Sequence, residues 1–104
     1  MPFIALEKRQ HLKNGDCRLY KVAGYKVLLI RQDDCYFAID SVCPHAGASL
    51  RKGRLVEDCI RCPKHGIHFD LATGKPVGGE AVAEVAPLRC FEVVLRDDEV
   101  GILV

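Results

Sequence analysis

The sequence predicts an all-β fold, an antiparallel sandwich or small barrel. Three observations carry that expectation. Short apolar segments recur along the chain at even intervals, with the length of strands rather than helices. They are rich in Val, Ile, Leu, Tyr and Phe, side chains that fit a pleated, half-buried surface. Between them stand Ala23-Gly24, Asp33-Asp34, Glu57-Asp58, Thr73-Gly74 and Asp97-Asp98, most of them residue types that reverse a chain. With 104 residues the chain makes a single domain, 1–104, which buries about 60–65% of its unfolded surface.

Taken in order, Phe3-Ile4-Ala5 opens the sheet, and Leu6 to Leu12 carries enough charge to be a surface turn of helix ended by Gly15. Cys17 to Val22 and Tyr25 to Gln32 are strands joined in a hairpin at Ala23-Gly24. Cys35 to Ile39 is a third strand, reached through the turn Gln32-Asp33-Asp34. Ser49 to Gly53 brings Arg51 and Lys52, Arg54 follows, and Leu55-Val56 pairs with Cys59-Ile60 around Glu57-Asp58. His68 to Leu71 is another short strand, turned by Ala72-Thr73-Gly74. The Pro and Gly content of Lys75 to Gly79 predicts a loop, with Pro76-Val77-Gly78-Gly79 placed as a shield. Leu88 to Leu95 and Val100 to Val104, around Arg96-Asp97-Asp98-Glu99, close the sheet. No repeat, low-complexity stretch or linker interrupts the pattern.

Composition excludes several function classes. A formal net charge of +1 with 28% charged residues, and no basic stripe interleaved with aromatics, argues against nucleic acid. Met1-Pro2-Phe3-Ile4-Ala5 runs straight into Glu7, Lys8 and Arg9 without an apolar signal core, and no apolar run is long enough to span a membrane. The expectation is a cytoplasmic monomer with no membrane contact.

The chemistry lies in two loops, Cys43-Pro44-His45 and Cys62-Pro63-Lys64-His65. Each offers a thiol and an imidazole, so their convergence would suit iron or zinc far better than calcium or magnesium. A Cys2His2 zinc finger keeps its cysteines in one knuckle and its histidines in another; here each loop mixes the two, which points to two metals. If sulfide bridged two irons, each loop could give its cysteine to one iron and its histidine to the other. Six cysteines would also allow a three-disulfide scaffold, but without a signal peptide Cys17, Cys35, Cys59 and Cys90 are expected to be reduced core residues. Cys59 and Cys62 form a C-x-x-C, although Cys62 is needed by the loop. His11 is expected to be a surface histidine.

Cys43-Pro44-His45-Ala46-Gly47-Ala48 and Cys62-Pro63-Lys64-His65-Gly66, followed by Phe69-Asp70 and Thr73-Gly74, resemble the Rieske [2Fe-2S] family from about Ser41 to Gly74. The resemblance implies a sandwich or barrel base of antiparallel sheets carrying a small cluster-binding subdomain at roughly 41–72. It implies one [2Fe-2S] cluster per chain, held by Cys43 and Cys62 on one iron and by His45 and His65 on the other. A proline after each cysteine fixes φ, while Gly47 and Gly66 let backbone approach the cluster. Only His11 and His68 remain, too few for the two-histidine, one-carboxylate iron site of a Rieske oxygenase. The chain therefore resembles a free-standing ferredoxin, not catalytic by itself, that passes single electrons from a flavin reductase to a terminal oxygenase of the ring-hydroxylating type. The alternatives are a Rieske-like small subunit of assimilatory nitrite reductase and a structural zinc module. High-potential respiratory members resemble one another in a disulfide between the loops and in hydroxyls near the cluster. The matching positions here, Ala48, Lys64, Ile67 and Phe69, supply neither. The resemblance also puts the histidine-bound iron at the tip, where Arg51, Lys52, Arg54, Arg61 and Lys64 would face a partner.

Overall fold

A computed structural model describes residues 2–43, 49–63, 66–78 and 86–104. Among them, ten strands form two antiparallel sheets. The larger contains β1 (Phe3–Lys8), β2 (Cys17–Val22), β3 (Tyr25–Gln32), β4 (Cys35–Asp40), β9 (Cys90–Arg96) and β10 (Glu99–Leu103), in the order β1-β10-β9-β4-β3-β2. The smaller holds β5 (Arg54–Val56), β6 (Cys59–Arg61), β7 (His68–Asp70) and β8 (Pro76–Gly78) in sequence order. The all-β expectation holds.

Strand β3 explains how the two sheets share a chain this short. Val27, Leu28, Leu29 and Ile30 are all fully buried, and successive side chains of a strand point to opposite faces. Val27 and Leu29 join a core with Leu12, Ala38, Phe91, Val100 and Ile102, inside the curl of the large sheet. Leu28 and Ile30 join a second core with Ile39, Leu50, Ile60, Ile67, Phe69 and Leu71, beneath the small sheet. A continuous apolar run is what a strand buried on both faces requires.

The large sheet is drawn toward a barrel by side chains at its two edges. Glu7 on β1 accepts from the Tyr20 hydroxyl on β2 at 3.0 Å and lies 3.4 Å from Arg18 Nη1. The same carboxylate is within 3.0 Å of His11 Nδ1 and accepts from the Lys8 amide. These bonds, that of His11 first, hold the Glu7 pKa down to about 2. On the turn side, Ala23 and Gly24 have φ of 50° and 82°, the paired left-handed geometry of a tight hairpin.

Three expectations are corrected. Leu6 to Leu12 is not a turn of helix: β1 runs on to Lys8 against β10, with a bulge between Ala5 and Glu7, and only Arg9–His11 forms a 3-10 turn. The bulge absorbs an extra residue without losing the ladder, which hid the strand's period in the sequence. Pro76–Gly78 is a strand, pairing Pro76 with Phe69 and Gly78 with His68; it is the sheet's last strand, where a proline's missing N–H costs no ladder bond, and Gly79 lies outside the described residues. Finally, Cys35 is exposed at the β3–β4 turn, and neither it nor the half-buried Cys59 belongs to either core, whereas Cys17 and Cys90 pack against the second.

Candidate metal centre

Strand β4 delivers the first loop. Beyond Asp40 the chain is pinned at several points: the Ser41 amide donates to the Lys26 carbonyl at 3.0 Å, the Leu50 amide to the Ser41 carbonyl at 2.7 Å, and Val42 forms a β-bridge with Ser49. The Asp40 carboxylate accepts from the Val42 amide at 3.0 Å, turning the chain inward at Cys43. On the return side, Ser49 Oγ accepts from the Arg51 amide and caps a 3-10 turn, Leu50–Lys52.

Strand β6 delivers the second loop. The Cys62 amide donates to the Ile67 carbonyl at 2.8 Å, which closes the loop at its base. Gly66 has φ of +67°, a left-handed geometry that a side chain would strain. Gly53 is needed for a different reason: a Cβ there would stand 2.7 Å from the Arg61 carbonyl and 3.0 Å from that of Leu50, so the two loops' supports touch backbone to backbone.

Cys43 and Cys62 end fully buried, at 0% and 1% exposure, in the same core as Leu50, Ile60, Ile67 and Phe69. The structure therefore brings together the two cysteines that the motif singles out. His45 and His65, with Pro44, Ala46, Gly47, Ala48 and Lys64, lie outside the described residues. Among the described residues no three His, Cys, Asp or Glu side chains gather as a metal site. A single buried cysteine is an ordinary small hydrophobe. Two of them, each at the first position of a pinned loop and in one core, fit a soft metal centre better than packing alone.

The other cysteines are set apart. All six are described, and no disulfide joins any of them. Burial pushes the Cys17 thiol up to about 11 and also raises those of Cys90 and Cys59, the latter further opposed by Asp70, Asp58 and Glu57. His68 sits half-buried on β7 and His11 is exposed beside Glu7, as expected.

Arg51, Lys52, Arg54 and Arg61 are exposed around the supports of the two loops. Asp33-Asp34 and Asp97-Asp98 occupy turns at the start of β4 and the end of β9, a strand's length away, roughly 20 Å at about 3.3 Å per residue. One feature escaped the sequence reading: Arg54, Arg61 and His68 are directly opposed across β5, β6 and β7, so three basic side chains share one row. The short apolar segments carry no sign of that register until the strands are paired.

Residues 3–92 match the Rieske [2Fe-2S] domain family. The chain is 41% identical over 91 residues to the mouse (Mus musculus) apoptosis-inducing factor 3, covering 88% of this chain and 14% of that protein. It spans far less than that relative's length. It is 35% identical over 83 residues to ferredoxin CarAc of Metapseudomonas resinovorans, covering 80% of this chain and 75% of the relative. Among solved structures, the ferredoxin of carbazole 1,9a-dioxygenase from Nocardioides aromaticivorans IC177 superposes with a TM-score of 0.88 at 31% identity, over 98% of this chain and 97% of that one. A chain from the complex of reduced oxygenase and oxidised ferredoxin in carbazole 1,9a-dioxygenase gives 0.85 at 30% identity, over 96% and 91%.

Proposed function

The chain belongs to the Rieske [2Fe-2S] domain family, and from that premise we propose that it is a free-standing one-electron carrier to a terminal oxygenase. The observation that carries the proposal is the pair of buried cysteines, each opening a pinned loop and sharing one core, within a fold that matches ferredoxin components over nearly its whole length. The family implies one [2Fe-2S] cluster, and the donor chemistry fits: Cys43 and Cys62 would supply thiolates to one iron, His45 and His65 imidazoles to the other. That cluster supplies a site that takes and releases one electron. The protein's own residues do the rest. The β-bridge at Val42–Ser49 and the Cys62–Ile67 bond fix where the two thiols stand, and Phe69, Ile60 and Leu50 keep water from that side.

The partners follow from the same premise. A flavin reductase supplies the electron and the oxygenase accepts it, while this chain performs no substrate chemistry of its own. The unit that binds the cluster is proposed at roughly 41–72, extended by β8 to Gly78 through its pairing with β7. Basic side chains beside the loops steer encounter with an acidic partner surface through a small, transient interface, below about 1,200 Å². Stopped-flow mixing tests this. A reduced sample is expected to be reoxidised by a Rieske-type oxygenase with one electron leaving per chain; a sample that a flavin reductase cannot reduce, or an oxygenase cannot reoxidise, counts against the carrier role.

A further inference from the structure

The outward face of the small sheet carries an electrostatic conflict. Arg61 is the direct cross-strand partner of Arg54 on β5 and of His68 on β7, so the three side chains project from the same face, and the like charges of the two arginines, placed directly opposite one another, destabilise a sheet. Among the described residues, no carboxylate forms an ion pair with any of the three. On the same face of β7, Asp70 stands two positions from His68, opposite Cys59, and it accepts from the Ala72 amide at 2.8 Å.

Arg61 instead turns toward the second loop. A Cβ built on Gly66 would lie 2.8 Å from its Nη2, 3.1 Å from Nε and 3.3 Å from Cζ, so the guanidinium fills the space that the glycine leaves open. The residue immediately before Cys62 thus folds its charge back onto the residue immediately after His65. We propose that Arg61 is a positioning residue for the redox equilibrium: its fixed charge, seated on Gly66, favours the reduced form and raises the midpoint potential. The inference rests on the carrier reading above. With ferric iron, sulfide and thiolate charges cancelling in the oxidised centre, one added electron leaves a net negative charge, and a nearby cation stabilises that state over the neutral one. Because the guanidinium is exposed, salt screens the effect, with a Debye length of about 10 Å at 0.1 M.

The test is a dithionite titration of the iron-loaded protein with mediator dyes, followed by visible absorbance at low and high salt. Arg61→Gln is expected to shift the midpoint downward, by a margin that shrinks as salt rises. Arg61→Lys keeps the charge and should recover most of the midpoint. Arg96→Gln, which removes the same charge from the end of β9, over the Phe3 ring, controls for net charge and should shift it less. Arg61→Met, which keeps the length of the side chain but not its charge, should lower the midpoint as Arg61→Gln does. An Arg61→Gln midpoint equal to wild type, or no lower than that of Arg96→Gln, overturns the proposal. If Arg61→Gln loses its iron, Arg61→Met decides, and an unchanged midpoint there overturns it too. Wild-type protein that binds no iron and labile sulfide would overturn the carrier reading itself, a result distinct from a flat Arg61→Gln titration.

Discussion

Replacing Phe69 by Ala separates the stability of the fold from the positioning of the cysteines. Phe69 is fully buried and shares its core with Cys43, Cys62, Ile60, Ile67 and, from the large sheet, Leu28 and Ile30. A truncation of this kind costs about 3–5 kcal/mol, transfer and cavity together. Against a total stability on the order of 5–15 kcal/mol, that leaves a folded but weakened protein. The comparison is Ile102→Ala, equally buried but in the other core, with an expected cost of about 2–5 kcal/mol. Urea titrations followed by circular dichroism give the two losses, and iron release to a chelator gives the second readout. The account predicts similar losses of stability, with release accelerated strongly by Phe69→Ala and little by Ile102→Ala. Equal release from the two variants, or a cost below about 1 kcal/mol for Phe69→Ala, would refute the reasoning that this core places the thiols.

Glu7→Gln should weaken the protein near neutral pH and flatten its acid profile. Because folding lowers the Glu7 pKa from 4.5 to about 2, its contribution is complete above pH 4.5 and is lost as the pH falls to about 2; a wild-type acid transition unchanged by the substitution would contradict this. In alkylation at pH 8 followed by mass mapping, exposed Cys35 should react first, and Cys17, raised to about 11, far more slowly; equal rates would count against the burial assignments. The reduction potential should lie toward the low end of the range of about −150 to +300 mV known for Rieske centres, since Ile67 and Phe69 bring no hydroxyl. A hydrogen bond to a charged group contributes about 1.5–3 kcal/mol, so two missing ones amount to on the order of 100 mV, at about 59 mV per tenfold; a midpoint well above zero would refute it. Changing Arg51 and Lys64 together to Glu should slow transfer at low salt while leaving cluster absorbance unchanged; rates unaffected by either charge or salt would remove the basic end from recognition.

Much of the fold was legible because its strands obey local rules. The hairpin of Cys17 to Val22 with Tyr25 to Gln32 has the expected limits because Ala23-Gly24 is a two-residue loop between strongly apolar runs. Where a local rule gave way to pairing, the reading failed. Leu6 and Glu7 are drawn into β1 by β10, and Pro76 by Phe69, partners far away or hidden in sequence. Cys35 looked like core because its neighbours Tyr36 to Ile39 are apolar, yet it stands where the turn exposes it. Of the four candidate ligands that the residue types suggest, Cys43 and Cys62 share one core, while His45 and His65 lie outside the described residues. The packing of Arg61 on Gly66 was not legible, because it depends on a strand register and a backbone dihedral rather than on composition.

The metal content of the purified protein decides most directly whether this chain carries a Rieske cluster. Iron, zinc and acid-labile sulfide measured on one sample, alongside its visible spectrum, should give about two irons and two sulfides per chain and a red-brown colour. Substituting Cys43, His45, Cys62 or His65 should bleach it. A colourless protein with about one zinc per chain would contradict the account at its root.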